Sequence, residues 1–271
     1  MILLVASKND VASMNIAQQI LEHYDFEKLS ETFHQSPVYL KKIQGNEVKL
    51  LFVKGELVNT QYLTDFFAPQ LIVFASRHSG LKAIPTLSVH TPGNLTEARL
   101  GGITRKVSIS PASAMKDALV EMAKMKEALK IDYEVSYECT HHGPSLDVPA
   151  MFVELGSSPT QWKDQKAAEA VAHAAMAAVS RGSTYSAALG LGGPHYNAKF
   201  TKRALSTATA FGHIIPKYAV PQINAEVLRQ CVERTVEKVE SAVLDWKGIK
   251  GEFRGKLIAM LDDLGIPIER I

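Results

Sequence analysis

Cysteine is scarce in this sequence: among 271 residues only Cys139 and Cys231 occur, and they lie far apart. No Cys-x-x-Cys pair is present, which removes zinc ribbons and thioredoxin-type redox sites, and two distant cysteines do not make a secreted disulfide scaffold. Long apolar runs are missing too. No stretch approaches the roughly 20 residues needed to cross a bilayer. The opening Met-Ile-Leu-Leu-Val-Ala turns polar at Ser7-Lys8-Asn9-Asp10, too soon for a signal-peptide core. The expectation is a soluble, cytoplasmic protein. Walker A is absent because no Gly-Lys-Ser/Thr follows the glycine-rich stretch, and there is no Gly-x-Ser-x-Gly nucleophile elbow. Aromatics are only 7%, which disfavours stacking along a long single strand of nucleic acid. Acidic residues are missing from one long stretch. Between Ala170 and Ala225 there is no Asp or Glu, yet Arg181, Lys199, Lys202, Arg203 and Lys217 fall there, with Lys247, Lys250 and Arg254 further on. Two readings fit: a surface that meets a polyanion, or a buried Ala/Gly-rich segment that excludes acids for packing reasons.

What is present describes a globular chain. It is 46% hydrophobic with a net charge of +2, and a chain of this size buries about three quarters of its unfolded surface. Ile2–Ala6 reads as a buried strand and Val11–Tyr24 as a helix with Ile16, Ile20, Leu21 and Tyr24 on one face. Val48–Val53 and Leu71–Ala75 read as strands. Ala112–Leu129 is a helix whose Met115, Leu119, Met122, Met125 and Leu129 form an inward stripe. Glu134–Cys139 and Met151–Leu155 are further strands. Ser158, Pro159 and Gln161 read as a capping box opening an alanine-rich helix to about Ser180. Ser186–Leu191 is a strand, Asn224 caps a helix that turns Val227, Leu228, Cys231 and Val232 inward, Ser241–Trp246 is a late strand and Lys256–Leu264 a last helix. This alternation predicts an α/β fold with a mixed, largely parallel sheet flanked by helices. Without an internal repeat or linker, residues 1–271 read as one domain.

Polar stretches punctuated by glycine or proline follow the strand candidates. They are Ser76–Gly80, His90–Asn94, Thr140–Pro144, Gly190–Tyr196 and Phe211–Tyr218, and they hold six of the nine histidines. In open α/β sheets, sites form at the carboxyl ends of strands, so convergence on one pocket is expected. His141 and His142, after Glu138, suit a metal or proton-transfer site; equally, one caps a turn while the other is exposed. Glu154, before Gly156-Ser157-Ser158, reads either as a ligand or general base, or as a carboxylate bonded to loop amides. Gly190-Leu191-Gly192-Gly193 reads as a loop where backbone approaches a ligand, or as a tight turn needing positive φ.

Many ordered motifs together identify the chain as similar to a family. They include Ala12–Ile16, Pro37–Tyr39, Phe74–Ser79, His90–Asn94, Pro111–Lys116, Glu138–Pro144, Glu154–Ser158, Gly190–Tyr196, Thr201–Ala204, Phe211–Tyr218 and Asp245–Gly248. The chain resembles the archaeal-type D-aminoacyl-tRNA deacylases, which also occur in plants. The family commonly has Ala where Cys139 stands and Gly where Pro194 stands. The resemblance implies hydrolysis of the ester joining a D-amino acid to the 3′ CCA end of tRNA, a proofreading step in translation. It also implies a zinc requirement, a monomer, and a fold like peptidyl-tRNA hydrolases and purine nucleoside phosphorylases. On that footing the expected metal ligands come from His90, Glu138, His141, His142 and His195, with His141, His142, His195 and Glu154 as the catalytic set. Zinc lowers the pKa of bound water to about 7; if zinc is only structural, His141 or His195 is the base. Amides at Gly192-Gly193 or Gly156-Ser157 are candidates to hold the oxyanion. Arg77 and His78 are expected at the terminal ribose, Lys202, Arg203 and Lys217 on the phosphates, and His213 beside the substrate. A peptidyl-tRNA hydrolase-like enzyme and a catalytically inert tRNA-binding module are the alternatives; the need for a free α-amino group, and turnover itself, separate them.

Overall fold

A computed structural model describes residues 1–180 and 182–271. Arg181, one of the basic residues of the acid-free stretch, lies outside the described residues. The chain opens with β1 (Ile2–Ser7), every residue of which is buried, as a strand covered on both faces must be. Asp10 then caps α1 (Val11–His23), its Oδ1 accepting from the Ser13 amide at 3.0 Å. Next comes an antiparallel meander, β2 (Glu27–Phe33), β3 (Ser36–Ile43) and β4 (Asn46–Val53). Its two-residue turns place His34, Gln35, Gln44 and Gly45 at positive φ. The sequence reading missed β2 and β3 because β2 is an edge strand, largely solvent-facing and charged, with no inward-facing apolar alternation to betray it.

A short helix, α2 (Leu63–Phe66), leads to β5 (Leu71–Arg77) and β6 (Thr86–His90). Then follow α3 (Ala112–Leu129), β7 (Glu134–Tyr137), β8 (Ala150–Gly156) and α4 (Gln165–Ser180). The predicted bounds of α3 are met at both ends, and Met115, Leu119 and Met122 are buried as the stripe requires. Ser158 does not cap α4. It donates to Gln161, the first residue of a separate 3-10 turn (Gln161–Lys163), and Asp164 caps the helix, its Oδ1 accepting from the Ala167 amide at 3.1 Å. Most of the run Ala167–Ala178 is buried because α4 lies between α1 and α3, and only Glu169 and His173 keep partial access to solvent.

Together these strands make an eight-stranded mixed sheet in the order β2-β3-β4-β1-β5-β8-β6-β7. β1 runs parallel to β4 and β5, and β5 to β8, but β6 is antiparallel to β8. A second sheet, fully parallel, follows in the order β10-β9-β11-β12. Its strands are β9 (Ser186–Leu191), β10 (Thr209–Ile215), β11 (Val239–Leu244) and β12 (Ile268–Arg270). Between them run α5 (Ala198–Ser206), α6 (Ala225–Glu233) and α7 (Gly251–Asp263). Asn224 caps α6 as the sequence predicts, accepting from the Val227 amide at 2.9 Å. The late strand ends earlier than expected, at Leu244, and the last helix begins earlier, at Gly251.

Period-two alternation divides the large sheet between two jobs. Val73, Ala75, Leu87, Val89, Val153 and Leu155 point into the core under α1, α3 and α4, which also receives Phe211, Ile214 and Val243 of the second sheet. Phe74 and Phe152 point the other way, into a smaller core with Leu57, Leu63 and Leu146. Ser76, Ser88, His90 and Glu154 share that second face by alternation, so the polar residues of the buried strands gather on one side.

Candidate active site

β5 and β8 reach the site from one direction and β6 and β7 from the other, because the latter pair runs antiparallel to β8. The expectation that all sites would lie at one carboxyl edge is corrected: opposed strands meet over one face. At the centre stands His78, just past β5 and almost fully buried. Its Nδ1 lies 3.2 Å from Glu138 and 3.4 Å from Glu154. Its Nε2 meets the Tyr196 hydroxyl. Both ring nitrogens are engaged, so His78 organises two carboxylates at the wall of the cleft. Burial alone would favour the neutral ring, but Glu138 and Glu154 overcome it and push the pKa up to about 10.

Glu138 and Glu154 are 1% and 3% exposed. Burial works against their ionisation, yet His78, His195 and His141 carry Glu138 well below the ordinary range, and His78 and His90 carry Glu154 down to about 2. His195 Nε2 donates to Glu138 Oε2 at 2.8 Å. Its Nδ1 faces the Tyr218 hydroxyl at 3.1 Å and Cys139 Sγ at 3.2 Å. Against the effect of burial, Cys139 and Glu138 push His195 up to about 11. In that state His195 is suited to donate a proton, while it also remains in a group of possible metal ligands with Cys139 and His141. Two carboxylates thus face two imidazolium rings.

A second layer consists of His90, His141 and His142. His141 and His142 donate their Nδ1–H to the carbonyls of Cys139 at 2.8 Å and Gly143 at 2.7 Å. This fixes the tautomer that leaves Nε2 unprotonated, the arrangement typical of metal-binding imidazoles. Burial and the neighbouring imidazoles hold both below the ordinary range, His142 at about 4. His90, 1% exposed, stacks parallel on Phe152 with centroids 5.0 Å apart, and neither of its ring nitrogens has a hydrogen-bond partner. One nitrogen each of His90, His141 and His142 lies within 4.8 Å of the other two. A buried imidazole without partners carries a desolvation cost that a bound cation would remove. These three residues could therefore hold a metal. Glu138 and His195, also expected as ligands, bond each other, and they enter two further groups of possible ligands: His78, Glu138 and Glu154, and Cys139, His141 and His195.

His141, His142, His195 and Glu154 line a cleft of about 490 Å³ with Ser7, Asp10, Glu56, Ser76, Arg77 and Leu100. A smaller pocket of about 170 Å³ adjoins it on the far side of His141 and His142, bounded by Asn94, Arg99 and Tyr218. Arg77 lines the larger cleft but is anchored, its Nη2 donating to Glu56 at 2.9 Å, while its amide donates to Asp10 at 2.8 Å.

The glycine turn differs from its expected role. Gly192, at φ +95°, donates its amide to Ile215 O at 2.8 Å, so that N–H is not free to hold an oxyanion. Gly193, at φ +75°, leaves no room for a side chain, because an added Cβ would lie 2.3 Å from Asn197 Nδ2. The turn's contribution is to deliver His195 and Tyr196. Backbone bonding fastens it to the site, with Cys139 N donating to His195 O at 3.0 Å. Gly156 is crowded by the His78 backbone, 2.5 Å from an ideal Cβ, so this second candidate glycine serves a close approach that brings His78 in. His213 is fully buried away from the cleft: Nε2–H donates to Arg234 O at 3.1 Å and Nδ1 faces Thr140 Oγ1 at 3.1 Å, so it does not meet substrate. Arg203 is tied to Glu269 at 2.7 Å. Lys202 and Lys217 are exposed. Sequence reasoning missed Tyr196 and Tyr218 as site residues although both lie in the stretches singled out, because an aromatic beside glycine or proline carries no signature of its own.

Comparison with known proteins follows the same residues. The sequence profile of the D-aminoacyl-tRNA deacylase family matches residues 66–269. A D-aminoacyl-tRNA deacylase of Pyrococcus abyssi is 40% identical over 272 residues, 97% of each chain. One of Thermococcus kodakarensis is 40% identical over 275 residues, 98% of each chain. One of Methanosarcina barkeri is 34% identical over 98% of this chain and 88% of its own. A crystal structure of a conserved protein of unknown function superposes with a TM-score of 0.89 at 29% identity, covering 100% of this chain and 95% of that one.

Proposed function

The chain belongs to the D-aminoacyl-tRNA deacylase family, and from that premise we propose that it hydrolyses the ester between a D-amino acid and the tRNA 3′ end in the cleft over Glu138, Glu154 and the histidines. The products are free D-amino acid and tRNA. The observation that carries the site assignment is His90, buried with neither ring nitrogen hydrogen-bonded and Nε2 3.8 Å from Glu154, beside two imidazoles whose Nε2 atoms are held unprotonated. Three imidazoles suit zinc over magnesium or calcium, so His90, His141 and His142 would hold Zn2+. Bound there, zinc would supply Lewis acidity to the ester carbonyl or to an attacking water.

The chain's own groups account for the proton movements. Glu154 stays ionised, lines the cleft and can accept a proton from water. His195, protonated on Glu138 and facing the same cleft, can deliver one to the leaving ribose oxygen. His78 holds the two carboxylates in place, and Tyr196 fixes the His78 ring through its Nε2. Lys202 and Lys217, exposed and without an acidic neighbour in sequence, suit the phosphates of the CCA end. Residues 1–271 act as one domain in this reading, supported by a core in which Tyr137 of one sheet meets Phe211 of the other, ring centroids 6.1 Å apart. A cytoplasmic monomer is in keeping with the family; among the described residues no helix is long and apolar enough to cross a membrane.

The test is release of D-tyrosine and L-tyrosine from their charged tRNAs, before and after chelation. D-selective release that chelation abolishes and zinc restores supports activity and metal together. D-selective release that persists after verified metal loss keeps the activity and removes zinc from it. Binding of tRNA without release of either isomer overturns the deacylase assignment.

A further inference from the structure

A separate group of ligand-bearing side chains lies on the other side of the molecule. α1 starts at the cleft, where Asp10 caps it, and ends at His23 after 13 residues, about 20 Å away at 1.5 Å per residue. There His23 meets α4. Glu169 and His173 are four residues apart on α4 and so share one helical face. His23 Nε2 lies 3.8 Å from Glu169 Oε1, and His173 Nε2 lies 3.9 Å from the same oxygen. The two rings are 5.3 Å apart. A ligand atom from each of the three residues lies within 4.8 Å of the other two. We propose that His23, Glu169 and His173 form a metal site, distinct from the catalytic cleft, that binds a divalent transition-metal ion such as Zn2+ and clamps α1 to α4.

Three features of the geometry argue for this. First, the two Nε2 atoms converge on a single carboxylate oxygen without reaching hydrogen-bond distance. Ligand atoms around tetrahedral zinc sit about 3.4 Å apart, given bonds of 2.0–2.1 Å, so modest side-chain rotation closes the site. Second, His173 has an outer partner: its Nδ1 lies 2.6 Å from the Tyr24 hydroxyl. With Nδ1–H donating to that hydroxyl, Nε2 is left unprotonated and oriented, as in metal sites generally. Third, the side chains of Glu169 and His173 are 22% and 24% exposed. Water can therefore complete the coordination. Two imidazoles and one carboxylate select zinc, nickel, cobalt or copper over magnesium and calcium. The clamp would act on stability, since an ion that binds only the folded chain shifts unfolding by mass action.

Equilibrium dialysis of the full-length protein against buffered free Zn2+, followed by metal analysis, tests the site. Wild-type protein should take up one equivalent more than the His23→Asn/His173→Asn double variant, and zinc should raise its Tm more than the variant's. D-tyrosine release should be the same in both, because the site is remote from the cleft. Should the double variant fold poorly, Glu169→Gln keeps both imidazoles and should weaken the extra equivalent at least about tenfold. Equal zinc uptake and equal zinc-dependent Tm shifts in wild type and folded variants would overturn the proposal. Because the readout is a difference between variants, it stands whether or not the cleft itself holds zinc.

Discussion

The cleft and the glycine turn beside it look alike in sequence, each a polar stretch with histidine at a strand end, yet they treat their polar groups in opposite ways. In the turn nearly every group is used. The Gly192 amide bonds Ile215, its carbonyl accepts from Asn197 Nδ2 at 3.0 Å, and Asn197 Oδ1 accepts from the Phe200 amide at 3.2 Å to start α5. In the cleft, groups are left over: neither nitrogen of His90 makes a hydrogen bond, its Nε2 standing 3.8 Å from Glu154, and the Nε2 atoms of His141 and His142 keep their lone pairs. Leftover polarity in a dry place costs stability and is retained where a ligand or a reaction uses it. The difference teaches that a motif marks where a site can be, while unsatisfied groups mark where it is.

Five substitutions would break or sharpen that contrast. Glu138→Gln removes the charge that keeps His78 and His195 protonated. It should lower D-tyrosine release by about 10²–10⁴-fold, measured as kcat at a temperature where circular dichroism shows native structure. Retained turnover would mean that the cleft is no more reactive than the turn.

His213 provides the next test, because it shares the sequence signature of the cleft histidines but has both nitrogens satisfied. Burial, offset in part by its bond to the Arg234 carbonyl, lowers its pKa from 6.5 to about 4. The unfolded chain therefore binds a proton between these values that the folded chain does not. Stability is full above pH 6.5 and falls as pH drops toward 4, by about 3 kcal/mol from this group. Urea unfolding at pH 7 and pH 4.5 should show this loss in wild type and less of it in His213→Gln.

Gly193→Ala should act on stability alone. Its Cβ meets Asn197 at 2.3 Å in a left-handed conformation, costing about 1–3 kcal/mol. A lower Tm with unchanged kcat in the folded fraction is expected; a selective loss of kcat would restore the turn to the reacting site. The smallest effects belong to Lys202→Ala and Lys217→Ala. Each should weaken tRNA binding less than about tenfold and reduce the slope of log K against log salt by about 0.7, the value for a single strand. An unchanged slope would place the polyanion elsewhere.

Much of the fold was legible in the sequence, for reasons that vary by element. α3 was found to the residue because its methionine and leucine spacing is strongly helical. α4 was found as a helix but its start was misplaced, since Ser158 with Gln161 imitates a capping box and only the structure shows Asp164 doing the capping. β2 was invisible because it is exposed, and β10 was taken for a loop because Gly212, His213 and Pro216 interrupt its pattern. The division into two sheets was not foreseen: both are read as short buried strands, and nothing local says which strand lies beside which.

For the site, the sequence by itself determined the inventory. The residue types at His78, His90, Glu138, His141, His142, Glu154 and His195, and the strand alternation that puts Ser88, His90 and Glu154 on one face, follow from local chemistry and the period of two. Only the tertiary structure decided their roles. The reversal of β6 and β7 against β8 brought Glu138 and Glu154 to the same imidazole, and that pairing made His78 and His195 cations. The backbone carbonyls of Cys139 and Gly143 fixed the tautomers of the neutral pair, and packing left His90 without a hydrogen bond. Protonation state depends on desolvation and on charges brought within a few ångströms, and both are properties of residues distant in the chain that folding makes neighbours.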